Sequence, residues 1–151
     1  MKQVLWFFIL VPGFLSCNQE SNELGKVSIL QTTEKIISNY PTGEPKFVEV
    51  YELMDGELQI SEFKELYVSG KVRMSGKLNS KKNRSGLWIA YFENGNKWST
   101  GFYQDGQENG KKQVWYEDGK PMYEGEMVND KPAGKWTFWD EKGNISTRFY
   151  E

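Results

Sequence analysis

The chain of 151 residues has no histidine and one cysteine. Without imidazole there is no His-based acid or base, no nucleophile with a histidine partner, and no use of the commonest metal ligand. One cysteine excludes an intramolecular disulfide and any multi-cysteine zinc site. Long apolar runs are missing as well: the run at 4–11 (VLWFFILV) falls far short of the ~20 residues a spanning helix needs. Nor is there an excess of positive charge. Nineteen Lys and Arg face 21 Asp and Glu, a net charge of −2, which leaves no electrostatic footprint for nucleic acid.

What the chain does have is aromatic residues, 15% of the total, and 15 glycines, and the two recur together. From Gly86, GLWIAYFENGNKWSTGFYQDGQEN is followed by GKKQVWYEDGKPMYEGEMVNDKPA from Gly110 and GKWTFWDEKGNISTRFYE from Gly134, a period of 24 residues. Glycines return in phase at Gly86, Gly110 and Gly134, at Gly95, Gly119 and Gly143, and at Gly101 and Gly125; an aromatic returns at Tyr91, Trp115 and Trp139. Such a period means an array of one supersecondary unit. In the first unit, two runs rich in aromatic and β-branched residues flank Asn94-Gly95, a dipeptide suited to the two positive φ angles of a two-residue hairpin turn. Asp118-Gly119 and Lys142-Gly143 follow in phase, and the polar stretches at 104–109 and 129–133 supply linking turns. The expected fold is all-β, an open single sheet of consecutive antiparallel hairpins.

Counting from a two-residue turn at Asn94-Gly95 sets Tyr91 opposite Trp98, Ala90 opposite Ser99, and Trp88 opposite Gly101, with the indole covering the glycine. Alternation then assigns Trp88, Ala90, Phe92, Ser99, Gly101 and Tyr103 to one face. Val114, Tyr116, Tyr123, Gly125 and Met127 follow in the second unit, and Trp136, Phe138 and Phe149 in the third. This is the expected core face. Lys112 interrupts it, standing where the neighbouring units have Trp88 and Trp136. The opposite face of the first unit carries Leu87, Ile89, Tyr91, Trp98, Thr100 and Phe102, so that hairpin is apolar on both sides. Either the segment 27–37 packs over it, or it is a partner-binding surface of aromatic anchors with a polar rim, centred on Tyr91, Trp98 and Trp115, with Phe102 and Trp139 as further members.

Residues 1–16 carry one lysine, a short apolar run and a small residue before Cys17, the layout of a secretory signal. Ser16-Cys17 resembles the lipobox of bacterial lipoprotein signal peptides. That resemblance implies that Cys17 becomes the acylated N-terminus, anchoring the chain in the cell envelope, at the outer membrane if the source is Gram-negative; an ordinary cleaved signal is the alternative. Two or three acyl chains hold a protein at a membrane durably, where one alone does not. Removing Lys2 with the signal leaves 18 basic against 21 acidic residues, −3. Residues 17–26 are polar and aperiodic, a tether. The segment 27–40 suits strands or a short helix about equally and is taken as strand. Hairpin rhythm then runs onward through Gly43, Asp55-Gly56 and Gly70; Gly70 and Gly76 repeat the six-residue spacing of Gly95 and Gly101. The repeat domain is accordingly 27–151, with four to five hairpins and no second domain. Lys81, Lys82 and Arg84 are read as a solvated loop.

Gly86-Leu87-Trp88, Tyr91-Phe92, Gly95 and Gly101-Phe102-Tyr103, with Gly134-Lys135-Trp136, Trp139 and Gly143, resemble MORN-type repeats, in the variant of the YwqK-like antitoxin family. The second unit departs from the pattern at Lys112 and Met127. The resemblance covers about two thirds of the chain and implies a β-hairpin repeat array and toxin neutralisation. A repeat class does not fix a task. Asp55, Asp105, Asp118, Asp130 and Asp140 fall mostly in turns, where Asp is expected for backbone reasons. The glycine-rich spots open no helix that would cradle phosphate. The expectation is therefore no enzyme, no cofactor and no metal: a lipid-anchored scaffold that contacts the membrane through its lipid and binds a protein or other envelope partner, but no nucleic acid. The alternative is an antitoxin or immunity protein acting by direct binding, which a toxin-like reading frame next door would favour.

Overall fold

Two kinds of turn connect neighbouring strands, three-residue loops within the hairpins and two-residue turns at the links between them. The link at 79–83 is the exception, again a three-residue loop, closed by Lys82 with positive φ. At the first kind, Gly95 N–H donates to Phe92 O (2.9 Å) and Phe92 N–H to Asn96 O (2.8 Å). Only Gly95 has positive φ, 93°. This is a three-residue loop, a β-turn closed by a left-handed glycine, and not the two-residue turn read from Asn94-Gly95. The same bonds recur around Gly43, Gly70, Gly119 and Gly143, making five hairpins. The two-residue turns with both central φ positive lie instead at links between hairpins, at Asp55-Gly56, Asp105-Gly106 and Asn129-Asp130.

A computed structural model describes residues 32–151; the signal at 1–16, Cys17, the tether and residues 27–31 lie outside the described residues. The strands are β1 (Thr32–Asn39), β2 (Pro45–Met54), β3 (Glu57–Leu66), β4 (Val72–Leu78), β5 (Arg84–Tyr91), β6 (Lys97–Gln104), β7 (Gln107–Glu108), β8 (Gly110–Trp115), β9 (Pro121–Val128), β10 (Lys131–Trp139) and β11 (Ile145–Tyr150). They form one antiparallel sheet in the order β1-β2-β3-β4-β5-β6-β8-β9-β10-β11, with the two residues of β7 paired to β6. The protein is an all-β open array of hairpins. β1 pairs with β2 at the sheet edge, so residues 32–37 extend the sheet rather than covering the β5–β6 hairpin.

The core lies on the expected face, where Trp88, Ala90, Val114, Met127 and Trp136 are buried. Trp88 stands opposite Gly101 as counted, but its ring rests on its other neighbour, Gly76 of the preceding hairpin: a methyl group at Gly76 would overlap the indole. The indole N–H donates to Lys77 O, 3.0 Å. Trp136 repeats this on Gly125, bonding Glu126 O at 3.1 Å. Each indole thus ties one hairpin to the next. The chain bends to allow it at Gly86, Gly110 and Gly134, all with positive φ. The flanking register slips fall at Gly76/Lys77 on β4 and between Ala133 and Thr137 on β10.

At the middle site Lys112 replaces the tryptophan, and the space over Gly101 is taken by the Glu108 carboxylate. Lys112 Nζ binds both of its oxygens at 2.8 Å. The core is therefore two aromatic ladders joined by an ion pair. One runs Phe47, Phe63, Trp88, Tyr103 and the other Tyr123, Phe138, Trp136, Tyr150, with ring centroids 5.6–6.2 Å apart. Of the three cations read as a solvated loop, Arg84 packs on the core face, 4.5 Å from the Trp88 ring, whereas Lys81 and Lys82 are exposed as expected, Lys82 reaching the buried Glu49 with its tip at 3.3 Å. On β2, Val48, Glu49 and Val50 are all buried. Both sides of that strand are covered, one by the Lys64 stem as it crosses to Glu34 on β1 (3.0 Å).

Phe149 is not in the core. β6 and β9 carry a bulge just after their loops; β11 pairs with β10 without one, placing Arg148 opposite Trp136 and Phe149 opposite Lys135. A one-residue slip reverses the facing of every side chain beyond it, which leaves Phe149 75% exposed.

Candidate functional site

Alternation from the buried Trp88, Val114 and Trp136 sends Tyr91, Trp115 and Trp139 to the other face. Each is the last residue of its strand, directly before the three-residue loop, and each belongs to alternate strands of the sheet, β5, β8 and β10. They form a row across the sheet, about 10 Å apart from two inter-strand spacings. All three are half-buried.

The backbone beneath this row is pinned by a feature that the sequence reading missed. Tyr67 Oη donates to Tyr91 O (2.8 Å) and Tyr116 Oη to Trp139 O (2.9 Å), as Tyr40 Oη does to Leu66 O (2.7 Å). Each tyrosine begins one loop and clamps the residue that precedes the next. The signal was present: Tyr40, Tyr67 and Tyr116 each stand three residues before a loop glycine. Phe92 occupies that place in the central hairpin and has no hydroxyl. There Asn94 and Asn96 reach across to Glu117 O instead, at 3.3 and 2.8 Å.

Beside the rings the surface is hollow. Gly70, Lys71, Val72, Tyr91 and Gly95 line one open depression, which continues over Glu62 and Ser75 into a second bounded by Leu87 and Ile89. Asn96, Lys97, Trp115 and Gly119 line a third. The first and third are the same construction one period apart, an aromatic ring beside the loop end of the preceding hairpin.

The remaining predicted members are placed differently. Tyr91 pairs with Lys97, and a bulge follows. The extra residue, Trp98, packs on Phe92 with centroids 6.1 Å apart, so it stands outside the row. Its equivalent in β4, Arg73, likewise reaches the buried Glu65 on the core face. Phe102 pairs with Leu87 on the row's face but at the far end of the strands, both exposed. The structural glycines and Trp88 and Trp136 serve in turns, bends or ring contacts, except Gly101, which lies under the Glu108 carboxylate.

Charges on the row's face are partly paired. Lys111 meets Glu124 at 3.2 Å and Gln113 donates to the same carboxylate at 3.0 Å; these bonds hold Glu124 below the ordinary carboxylate range. Among the described residues no three His, Cys, Asp or Glu are grouped to hold a metal ion, and no helix is long and apolar enough to cross a membrane. No protein-family model, curated protein or solved structure matches the chain.

Proposed function

We propose that the protein is a non-catalytic repeat scaffold of MORN type, anchored in the cell envelope by a lipid on Cys17, that holds a partner against the face bearing Tyr91, Trp115 and Trp139. One observation carries the reading: three rings at equivalent positions, two of them clamped from behind, are left half-open on the side away from the core. A ring needed only for packing has no reason to be held at the surface in three successive hairpins, whereas half-exposed aromatics with polar neighbours are what binding surfaces use. The anchor rests on the resemblance of Ser16-Cys17 to a lipobox.

The test is cross-linking and capture from native membranes with wild type, Tyr91→Ala plus Trp115→Ala, and Trp98→Ala. The double variant loses the partner, and Trp98→Ala, altered at the bulge outside the row, keeps it. The same partners from all three chains would end the proposal.

A further inference from the structure

Resting on that reading, the geometry points to the chemical class of the partner: we propose that the row binds an uncharged, extended 1→4-linked hexopyranose chain, one disaccharide to each hairpin. The site repeats, so a ligand that fills it repeats with the same step. Tyr91, Trp115 and Trp139 lie on alternate strands, about 10 Å apart, close to the length of a disaccharide in an extended 1→4-linked chain. An extended peptide presents side chains to one side about every 7 Å and falls out of step by the second ring.

Charge points the same way. Glu34 and Glu62 share Lys64, and Glu124 is paired with Lys111; the charges left on this face, Lys71, Lys97, Glu126 and Lys135, are of both signs and form no continuous track for a strongly charged polymer. Lys97 and Asn96 beside Trp115, and Lys71 beside Tyr91, are donors for hydroxyl groups. The apolar face of a pyranose ring, with its axial C–H groups, matches the face of an indole or phenol. The row also turns from hairpin to hairpin, by about 45° over two strands, which a polysaccharide follows by rotation about its glycosidic bonds.

The experiment titrates the full chain in detergent with β-1,4-linked N-acetylglucosamine and glucose oligomers of two, four and six units, read by calorimetry. Affinity rises about tenfold with each added disaccharide for at least one series. Trp139→Ala shortens the row to two rings, abolishes the gain from four units to six and lowers the number of dimers bound from three to two. Trp115→Ala weakens every oligomer longer than a dimer, Trp115→Tyr keeps binding, and Trp98→Ala binds as wild type. Affinity independent of length, or unchanged by Trp115→Ala in a chain with native circular dichroism, overturns the glycan assignment. Failure to bind either series overturns it too, and the two readings then separate. If Tyr91→Ala plus Trp115→Ala still abolishes membrane capture, the face is a binding surface for something other than these glycans; if capture is unchanged, the surface itself is misassigned.

Discussion

Replacing Gly125 by alanine adds one methyl group against the face of Trp136, where no space exists for it. φ at Gly125 lies outside the left-handed region, so the backbone accepts alanine without strain, and a glycine-to-alanine change on its own stabilises by about 0.5–1 kcal/mol through the unfolded chain. Against this stands overpacking, about 1–3 kcal/mol in a filled core, with the indole N–H bond to Glu126 O strained as the ring moves. The net expectation is a loss of about 1–2 kcal/mol. Gly101 is the internal control, since its added methyl meets the end of the flexible Glu108 side chain, with Tyr103 at an ordinary 3.4 Å. Glu108 can swing aside while Lys112 follows, so Gly101→Ala stays within about 1 kcal/mol of wild type. Urea unfolding followed by tryptophan fluorescence reads the difference: a midpoint lower by about 1 M for Gly125→Ala at unchanged slope, and nearly unmoved for Gly101→Ala. Equal midpoints for the two variants would refute the claim that the glycines exist to seat the indoles.

Phe92→Tyr supplies the clamp that the central hairpin lacks, directed at Trp115 O; it is expected to raise stability by about 1 kcal/mol, and an unchanged urea midpoint would show that the Asn96–Glu117 bond already suffices. Tyr51 Oη donates to Glu49 at 2.7 Å and is the main reason that carboxyl lies below its ordinary value, with Lys82 adding to it. A lowered folded value gives stability that is present above the unfolded pKa and lost as pH falls through the folded one. Tyr51→Phe is therefore less stable than wild type at pH 7, with the gap closing below about pH 4; a gap independent of pH contradicts this. Lys112→Trp alone strands the buried Glu108, whereas Glu108→Arg plus Lys112→Trp rebuilds the Arg84–Trp88 arrangement, so the double-mutant cycle should show a favourable coupling of about 1 kcal/mol or more. Strictly additive effects would mean that the two positions do not act together. Cys17→Ala is expected to leave the membrane fraction in liposome flotation, and continued flotation would place a second membrane contact in the repeats.

The hairpins, their faces and most of the core were legible because strand alternation and a 24-residue period are local properties of the chain. Three things were not. Asn94-Gly95 fits two loop types, and the choice rests on whether Asn94 takes positive φ, which its identity permits but does not require. That one residue of loop length moved Tyr91 from Trp98 to Lys97. The facing of Phe149 depended on a bulge that β6 and β9 have and β11 lacks, although Gly95+6 and Gly119+6 are glycines and Gly143+6 is Phe149. The third was which neighbour an indole covers. Trp88 stands between two glycines, Gly76 and Gly101, and sequence spacing alone does not say which way the ring falls.

The middle hairpin explains why the repeat tolerates an apparent break at its most regular position. Arg84 and Trp88 are four residues apart and stack at 4.5 Å; one period later, Glu108 and Lys112 are also four apart and bind at 2.8 Å. In both units the first residue leans over the second on the core face, so what recurs is a contacting pair that fills the space over the preceding glycine, and tryptophan is one way of filling it. Exchanging a ring for a lysine without exchanging its partner would leave a buried charge alone, a large cost. The two changes are compatible only together. On the other face the residue before the loop is Asn39 and Leu66 in the first two hairpins, but it is aromatic in the last three, at Tyr91, Trp115 and Trp139, even in the hairpin whose core residue has changed. Packing tolerates a substitute at Lys112, so packing alone does not explain why the row stays aromatic beside it, and the ligand proposed above, in step with these hairpins, would.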